Sequence, residues 1–264
     1  MKIITELFFV ILFFCSLLQN NSHAQSKYIN ENTQDIKSDS LFSEKGLIAF
    51  YPFNGNANDE SGNNNNASVI NASLTADRFG NPDNAYYFNG LNNYIEIPNS
   101  KSLSSPTKAL TICAWINIET FYRNNWAPIL AKSVTSDYGM YGLQLTNFPL
   151  KKEIEFHFNY RYLNLDFSFE LNKWYFIAVI WDSKKEIGNL SYFVNGREYI
   201  NISNHYSAKL KPDDAPLLIG KDTPELTEHL NGTLDDIRIY NRALSIKEIN
   251  ELYKYIDEDK KLQQ

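Results

Sequence analysis

The sequence predicts an all-β fold, a sandwich of two antiparallel sheets of jelly-roll type closed by one short C-terminal helix. Three observations carry this. Short stretches rich in β-branched and aromatic residues recur along the chain, with Gly, Asn and Pro turns between them. No convincing helical period precedes Ser245. Two stretches, 110–118 (LTICAWINI) and 174–181 (WYFIAVIW), are apolar at both strand parities. That pattern suits central strands whose outer face is covered by loops, or whose concave face carries aromatics.

Taken in order, residues 1–24 have the pattern of a secretory signal: Lys2, an apolar run over 7–18, and Ser22-His23-Ala24 as a small-x-small cleavage site. The run is shorter than the roughly 20 apolar residues a spanning helix needs. Residues 25–45 are polar and aperiodic and read as a flexible leader. The ordered domain is expected over 46–256, with 257–264 as a polar tail. Its first strand, 47–53, ends in the Asn-, Gly- and Asp-rich loop 54–66, whose residues supply turns and left-handed backbone positions. Strands are then expected at 85–89, 94–97, 110–118, 128–133, 142–146, 153–159, 166–169, 174–181, 190–194 and 217–219. The pair Asn195-Gly196 marks a tight turn.

The closing stretch is 231–253, NGTLDDIRIYNRALSIKEINELY. Ile237 and Ile239 alternate with Arg238 and Tyr240, as on a strand with one buried face. Asp235 shares the parity of the two isoleucines, so an unbroken strand would aim its carboxylate at the packed side. A buried carboxylate either protonates or finds a cation, so Asp235 calls for a metal ion or an Arg. Ser245 followed by Glu248 is a capping box, and Ile246, Ile249, Leu252 and Tyr253 give the helix an apolar stripe.

A chain of 264 residues can bury a sizeable core as one domain. Its formal charge of −6 argues against nucleic acid and anionic membrane surfaces. With residues 1–24 removed, Cys113 is the only cysteine, which leaves no intramolecular disulfide. Cys113 sits in an apolar run and reads as a small buried hydrophobe. With 17 Tyr, 17 Phe and 4 Trp, some aromatic side chains must reach the surface or line a groove.

Several stretches occur in a telling order: GLIAFYPFNGNANDESGN, RFGNPDNAYYFNGLNNYIEIP, LTICAWINIE, KWYFIAVIWDSKKEIGNLSYFVNG, LLIGKD and NGTLDDIRIYNRALSIKEI. Together they resemble the concanavalin A-like, laminin-G-like jelly-roll domains of secreted bacterial proteins, over residues 46–253. The resemblance implies a secreted, non-catalytic module that binds glycans, often with calcium. It leaves adhesion to an extracellular protein as the alternative and glycoside hydrolysis as a distant one.

The resemblance also implies where a ligand or metal would sit. A structural calcium ion would join Asp235 to the N-terminal loop through Asp59, with oxygens from Asn89 and Asn92. A second, ligand-bridging calcium would use Asp137 and Asp222 on loops at one end of the sandwich. Tyr122, Trp126, Tyr138, Tyr141, Tyr160 and Tyr162 lie in or beside loops and strand ends, where sugar rings would stack on them. Glu153, Glu155 and His157 alternate on one strand, a spacing similar to the catalytic strand of β-glucanases; alternation alone also produces a polar strand face. The four histidines show no metal-ligand spacing. A groove lined by stacked Tyr and Trp would favour sugar, and a flat apolar patch would favour a protein partner.

Overall fold

Two antiparallel sheets face each other, as the strand pattern predicts. The computed structural model describes residues 44–121, 126–135, 138–147, 151–159, 161–186, 189–201, 209–224 and 228–255. The sandwich lies in the unit that begins at Gly46.

The eight-stranded sheet runs, in spatial order, β13 (Arg197–Asn201), β12 (Leu190–Val194), β11 (Trp174–Asp182), β6 (Ala109–Ile118), β15 (Asn231–Tyr240), β4 (Ala85–Asn89) and β3 (Ser73–Thr75). Its remaining strand, β1 (Leu47–Tyr51), pairs with β15. The seven-stranded sheet runs β10 (Arg161–Asp166), β9 (Lys152–Phe158), β8 (Tyr138–Asn147), β7 (Trp126–Thr135), β14 (Leu217–Ile219), β5 (Tyr94–Ile97) and β2 (Ser68–Ile70). The strand expected over 166–169 lies earlier, as β10. Three strands escape the hydrophobic pattern: β2 and β3 have only three residues each, and β13 is the mostly polar REYIN that returns from the Asn195-Gly196 turn.

Between the sheets lies a core that includes Phe88, Ile95, Ile112, Ile129, Leu143, Phe156, Trp181, Tyr192, Ile237 and Ile239. The double-parity strands are explained by a second, smaller core on the outer face of the eight-stranded sheet. There Cys113, Phe176, Ala178, Ile180, Phe193 and Tyr240 pack under Ile249 and Leu252 of the helix α1 (Ile246–Lys254). The cover is thus a helix rather than loops. Cys113 is fully buried beneath it, and burial pushes its thiol up to about 12, which leaves it unreactive at neutral pH. The helix starts with both halves of the expected capping box: Ser245 Oγ accepts from Glu248 N, and Glu248 Oε2 accepts from Ser245 N at 2.7 Å. No helix among the described residues is long and apolar enough to cross a membrane.

One departure decides the rest. Strand β15 is not unbroken: Asp235 pairs with Trp115 and Arg238 with Cys113, so Asp236 and Ile237 stand opposite Ala114 alone. Asp236 takes a left-handed φ of 50° in this bulge. Leu234 and Ile237 both enter the inter-sheet core, and Asp235 is turned to the opposite, helix-covered face. The parity argument therefore had Asp235 on the wrong side of the sheet. It was right that the carboxylate is buried and that it requires a cation.

Candidate functional site

Beside the end of α1, the outer face of the eight-stranded sheet carries an open groove of about 450 Å³. Three pieces of chain build it. Strands β6 and β11 supply Trp115 and Trp174, the β3–β4 connection supplies Arg78 and Phe79, and the end of α1 supplies Tyr253, Lys254 and Tyr255. Trp115 stacks on Tyr253, with ring centroids 5.7 Å apart and 24° between planes, and tilts against Phe176 at 5.6 Å. Phe79 and Tyr255 stay well exposed, at 36% and 39%.

The connection that presents Arg78 and Phe79 is fixed by its own polar residues. Asp77 Oδ1 accepts from the backbone amides of Phe79 (2.8 Å) and Asn81 (3.0 Å), and Gly80 supplies the left-handed position, with a φ of 88°. The Arg78 guanidinium is then held between two rings, its Cζ 4.5 Å from the centroid of Phe79 and 4.5 Å from that of Trp115.

Beneath the rings, charges alternate. Arg78 Nη1 donates to Asp235 Oδ2 and to Asp236 Oδ2, both at 2.8 Å, and Nη2 donates to the Tyr255 carbonyl at 3.1 Å. The Asp236 amide donates to Asp235 Oδ1 at 2.8 Å. Arg238 stands 3.7 Å from the other Asp236 oxygen and lies over Phe50 and Tyr255, 3.8 Å and 4.8 Å from their centroids. Two buried carboxylates are thus matched by two guanidinium groups. Of the two partners open to Asp235, the structure supplies the arginine.

The calcium set expected around Asp235 does not fit this arrangement. Asp59 is turned to its own loop: Oδ1 accepts from the amides of Phe50 (2.9 Å) and Ser61 (3.0 Å), and Oδ2 from that of Asn65 (2.9 Å). Asn65 in turn donates to the Ile48 carbonyl, so Asp59 staples the 54–66 loop to β1. Asn89 Oδ1 accepts from the amides of Leu91 and Asn92, and its Nδ2 donates to Asn92 Oδ1, which closes a turn. Each oxygen set thus serves local chain geometry, while the positive charge at Asp235 comes from Arg78. Among the described residues, no group of three or more His, Cys, Asp or Glu side chains is placed to hold a metal ion.

The other expected site residues distribute as follows. Asp137, Tyr122 and Tyr160 lie outside the described residues, and only the backbone of Tyr138, in β8, is described. Tyr141 is a core residue, fully buried with its hydroxyl donating to the Leu103 carbonyl at 3.1 Å, so it cannot stack on a ligand. Trp126 and Tyr162 belong to the seven-stranded sheet, the former half-buried and the latter exposed. Asp222, expected to join Asp137 in holding a ligand-bridging calcium, is 8% exposed beside His157, with Oδ1 4.0 Å from Nε2.

Glu153, Glu155 and His157 do share the outer face of β9, since Ile154, Phe156 and Phe158 face the core. The Asn164 amide donates to Glu153 at 2.5 Å, and the Gln144 amide donates to Glu155. The His157 ring lies across Gly142, where a β-carbon would come within 2.0 Å of Nε2. Burial lowers the imidazole to about 4, so near neutral pH it is uncharged and forms no ion pair with Asp222. Burial, then the neighbouring Glu228 and Glu155, raise Asp222 to about 7. Burial also raises Glu155. The side chains of this cluster are tied to one another, whereas the groove on the other sheet presents ring faces.

None of the groove residues was singled out from the sequence as a ligand contact. Trp115 and Trp174 lie in runs that read as buried strand, and Tyr253 reads as helix stripe. The available signal was parity: Trp115 alternates out of phase with Ile112, Ala114 and Ile116, which face the core.

The fold has relatives. Domain 4 of AbnA, a GH43 extracellular arabinanase from Geobacillus stearothermophilus solved with arabinotriose, superposes with a TM-score of 0.60 at 15% identity, over 79% of this chain and 98% of that one. A botulinum neurotoxin type C chain, from a toxin whose cell entry depends on two ganglioside molecules, gives 0.61 at 16%, over 81% of this chain and 52% of that one. Trypanosoma rangeli sialidase in complex with sialic acid gives 0.57 at 19%, over 79% and 32%. This chain therefore spans about half of the toxin chain and a third of the sialidase. At such identities the likeness establishes fold alone. Comparison with curated proteins finds no match. The family model described as the concanavalin A-like lectin/glucanases superfamily matches residues 88–250, more than half of the sequence, and the chain belongs to that superfamily.

Proposed function

We propose that this chain is a secreted, non-catalytic module that binds glycan in the groove around Trp115. The observation that carries the reading is the convergence of Phe79, Trp115, Trp174, Tyr253 and Tyr255 on one open groove. Sugar rings present apolar C–H faces that stack on aromatic rings, with hydroxyl edges left for hydrogen bonds. Lys254 at the groove supplies a donor for such edges. The relatives point the same way: one was solved with arabinotriose, and another belongs to a toxin that enters cells through gangliosides. A receptor-binding domain and a toxin's binding domain among the neighbours support binding over catalysis. The carboxyls of β9, tied to Asn164 and Gln144, play no part in this reading.

A glycan array, followed by titration of the best hit, tests it. Trp115→Ala and Tyr253→Ala should each weaken binding about two- to tenfold, since loss of one stacking ring removes about 0.5–1.5 kcal/mol. The melting temperature of each variant is the control for folding. If both variants bind as the parent does while Tyr162→Ala abolishes binding, the ligand sits on the seven-stranded sheet and the groove reading fails. Binding to an extracellular protein with no glycan hit would favour adhesion instead.

A further inference from the structure

The expected calcium set and the observed contacts disagree, and the disagreement has a specific form. We propose that Arg78 is the internal cation of the closing strand, occupying the place a calcium ion would otherwise take, so that fold and groove hold without calcium. Three oxygens converge on this one guanidinium: Asp235 Oδ2 and Asp236 Oδ2, both 2.8 Å from Nη1, and the Tyr255 carbonyl, 3.1 Å from Nη2. Two carboxylates and a backbone carbonyl are the hard oxygen donors that calcium selects. Both carboxylates are buried, at 0% and 1% exposure, and a buried charge requires an opposite one beside it. A guanidinium cannot lose its charge in a protein and, being planar, fits between the Phe79 and Trp115 rings as a spherical ion would not. Arg78 thereby ties three segments together: the β3–β4 connection, the bulge of β15 and the chain leaving α1.

A second buried cation follows the same design. Lys132 is fully buried in β7, and its Nζ donates to Asn99 Oδ1 (2.9 Å), Asp213 Oδ1 (2.9 Å), the Asp213 carbonyl (3.1 Å) and the Ala215 carbonyl (2.7 Å). Here too, loop oxygens gather around a side-chain ammonium as they would around a metal. The sandwich thus closes its loops at two places with cations carried by its own chain.

The experiment is thermal unfolding of the purified protein in EDTA and in millimolar calcium chloride, for the parent, Arg78→Ala and Arg78→Lys. The parent should melt at one temperature in both, and Arg78→Lys, which keeps a cation, should be lowered but equally indifferent. Arg78→Ala leaves the three oxygens facing an empty space, so its melting temperature should be lowest in EDTA and rise when calcium is added. Should Arg78→Ala fail to fold in EDTA, Arg78→Gln keeps most of the packing and is read the same way. The proposal is overturned if calcium raises the melting temperature of the parent, or if the neutral variant responds to calcium no more than the parent does.

Discussion

Replacing Asp222 by Asn should stabilise this protein in mild alkali and leave it unchanged in acid. Asp222 is 8% exposed and faces His157 across 4.0 Å, with Glu155 and Glu228 as its charged neighbours. Burial and those two carboxylates raise its acid group from 3.8 to about 7. The folded chain therefore binds this proton more tightly than the unfolded chain does. Stability from this group is complete below about pH 4 and declines as the pH climbs from 3.8 towards 7. The gap between the two values, at about 1.4 kcal/mol per unit, sets a ceiling of about 4 kcal/mol on the loss. Partial solvent contact brings the expected figure to about 2–4 kcal/mol. Asn keeps the shape and discards the charge, so at about pH 8 the variant should recover that amount, and at about pH 4 the two proteins should match. His157, lowered from 6.5 to about 4, works in the opposite direction: its neutral form is favoured by folding, so stability rises across that interval. It is present in both proteins, and its contribution cancels in the difference. Urea denaturation at the two pH values measures the effect. Equal differences at both, or a variant less stable at about pH 8, would refute the buried-carboxylate argument.

Two further substitutions test how the sheets are held. Gly142→Ala should destabilise by about 1–3 kcal/mol, because the new methyl would lie 2.0 Å from His157 Nε2. The same change made in a His157→Ala background should cost little, and a double-mutant cycle in urea showing no coupling would remove the claim that the imidazole rests on that glycine. Ser245→Ala removes the capping box that starts α1 and should cost about 1 kcal/mol. The loss should be accompanied by faster labelling of Cys113, which α1 covers; unchanged labelling would mean that the helix does not depend on its cap.

The legibility of this chain follows the range of the interactions. Strands β4, β5, β12 and β14 fall where short runs bounded by turn residues place them, because such signals are local to each strand. The capping box is equally local, three residues wide, and was visible for that reason. What escaped was long-range or depended on a defect. The β15 bulge adds one residue to the count and so reverses the face of Asp235, and period-2 reasoning has no means of registering an insertion that only the pairing with β6 defines. The cation that Asp235 demanded was inferable as a need, but its donor, Arg78, stands 157 residues away in the chain. Two adjacent acids in the middle of a strand state a charge requirement; which oxygen or nitrogen meets it is a property of topology. The aromatic groove was missed for a related reason. Trp115 and Trp174 sit inside apolar runs, and a run covered on both faces looks the same in sequence whether a helix hides the outer residues or stops short of them. Helix α1 covers Cys113 and Phe176 and ends beside Trp115. The position of a helix end thus decides which tryptophan is core and which lines a binding surface, and composition and spacing do not carry that information.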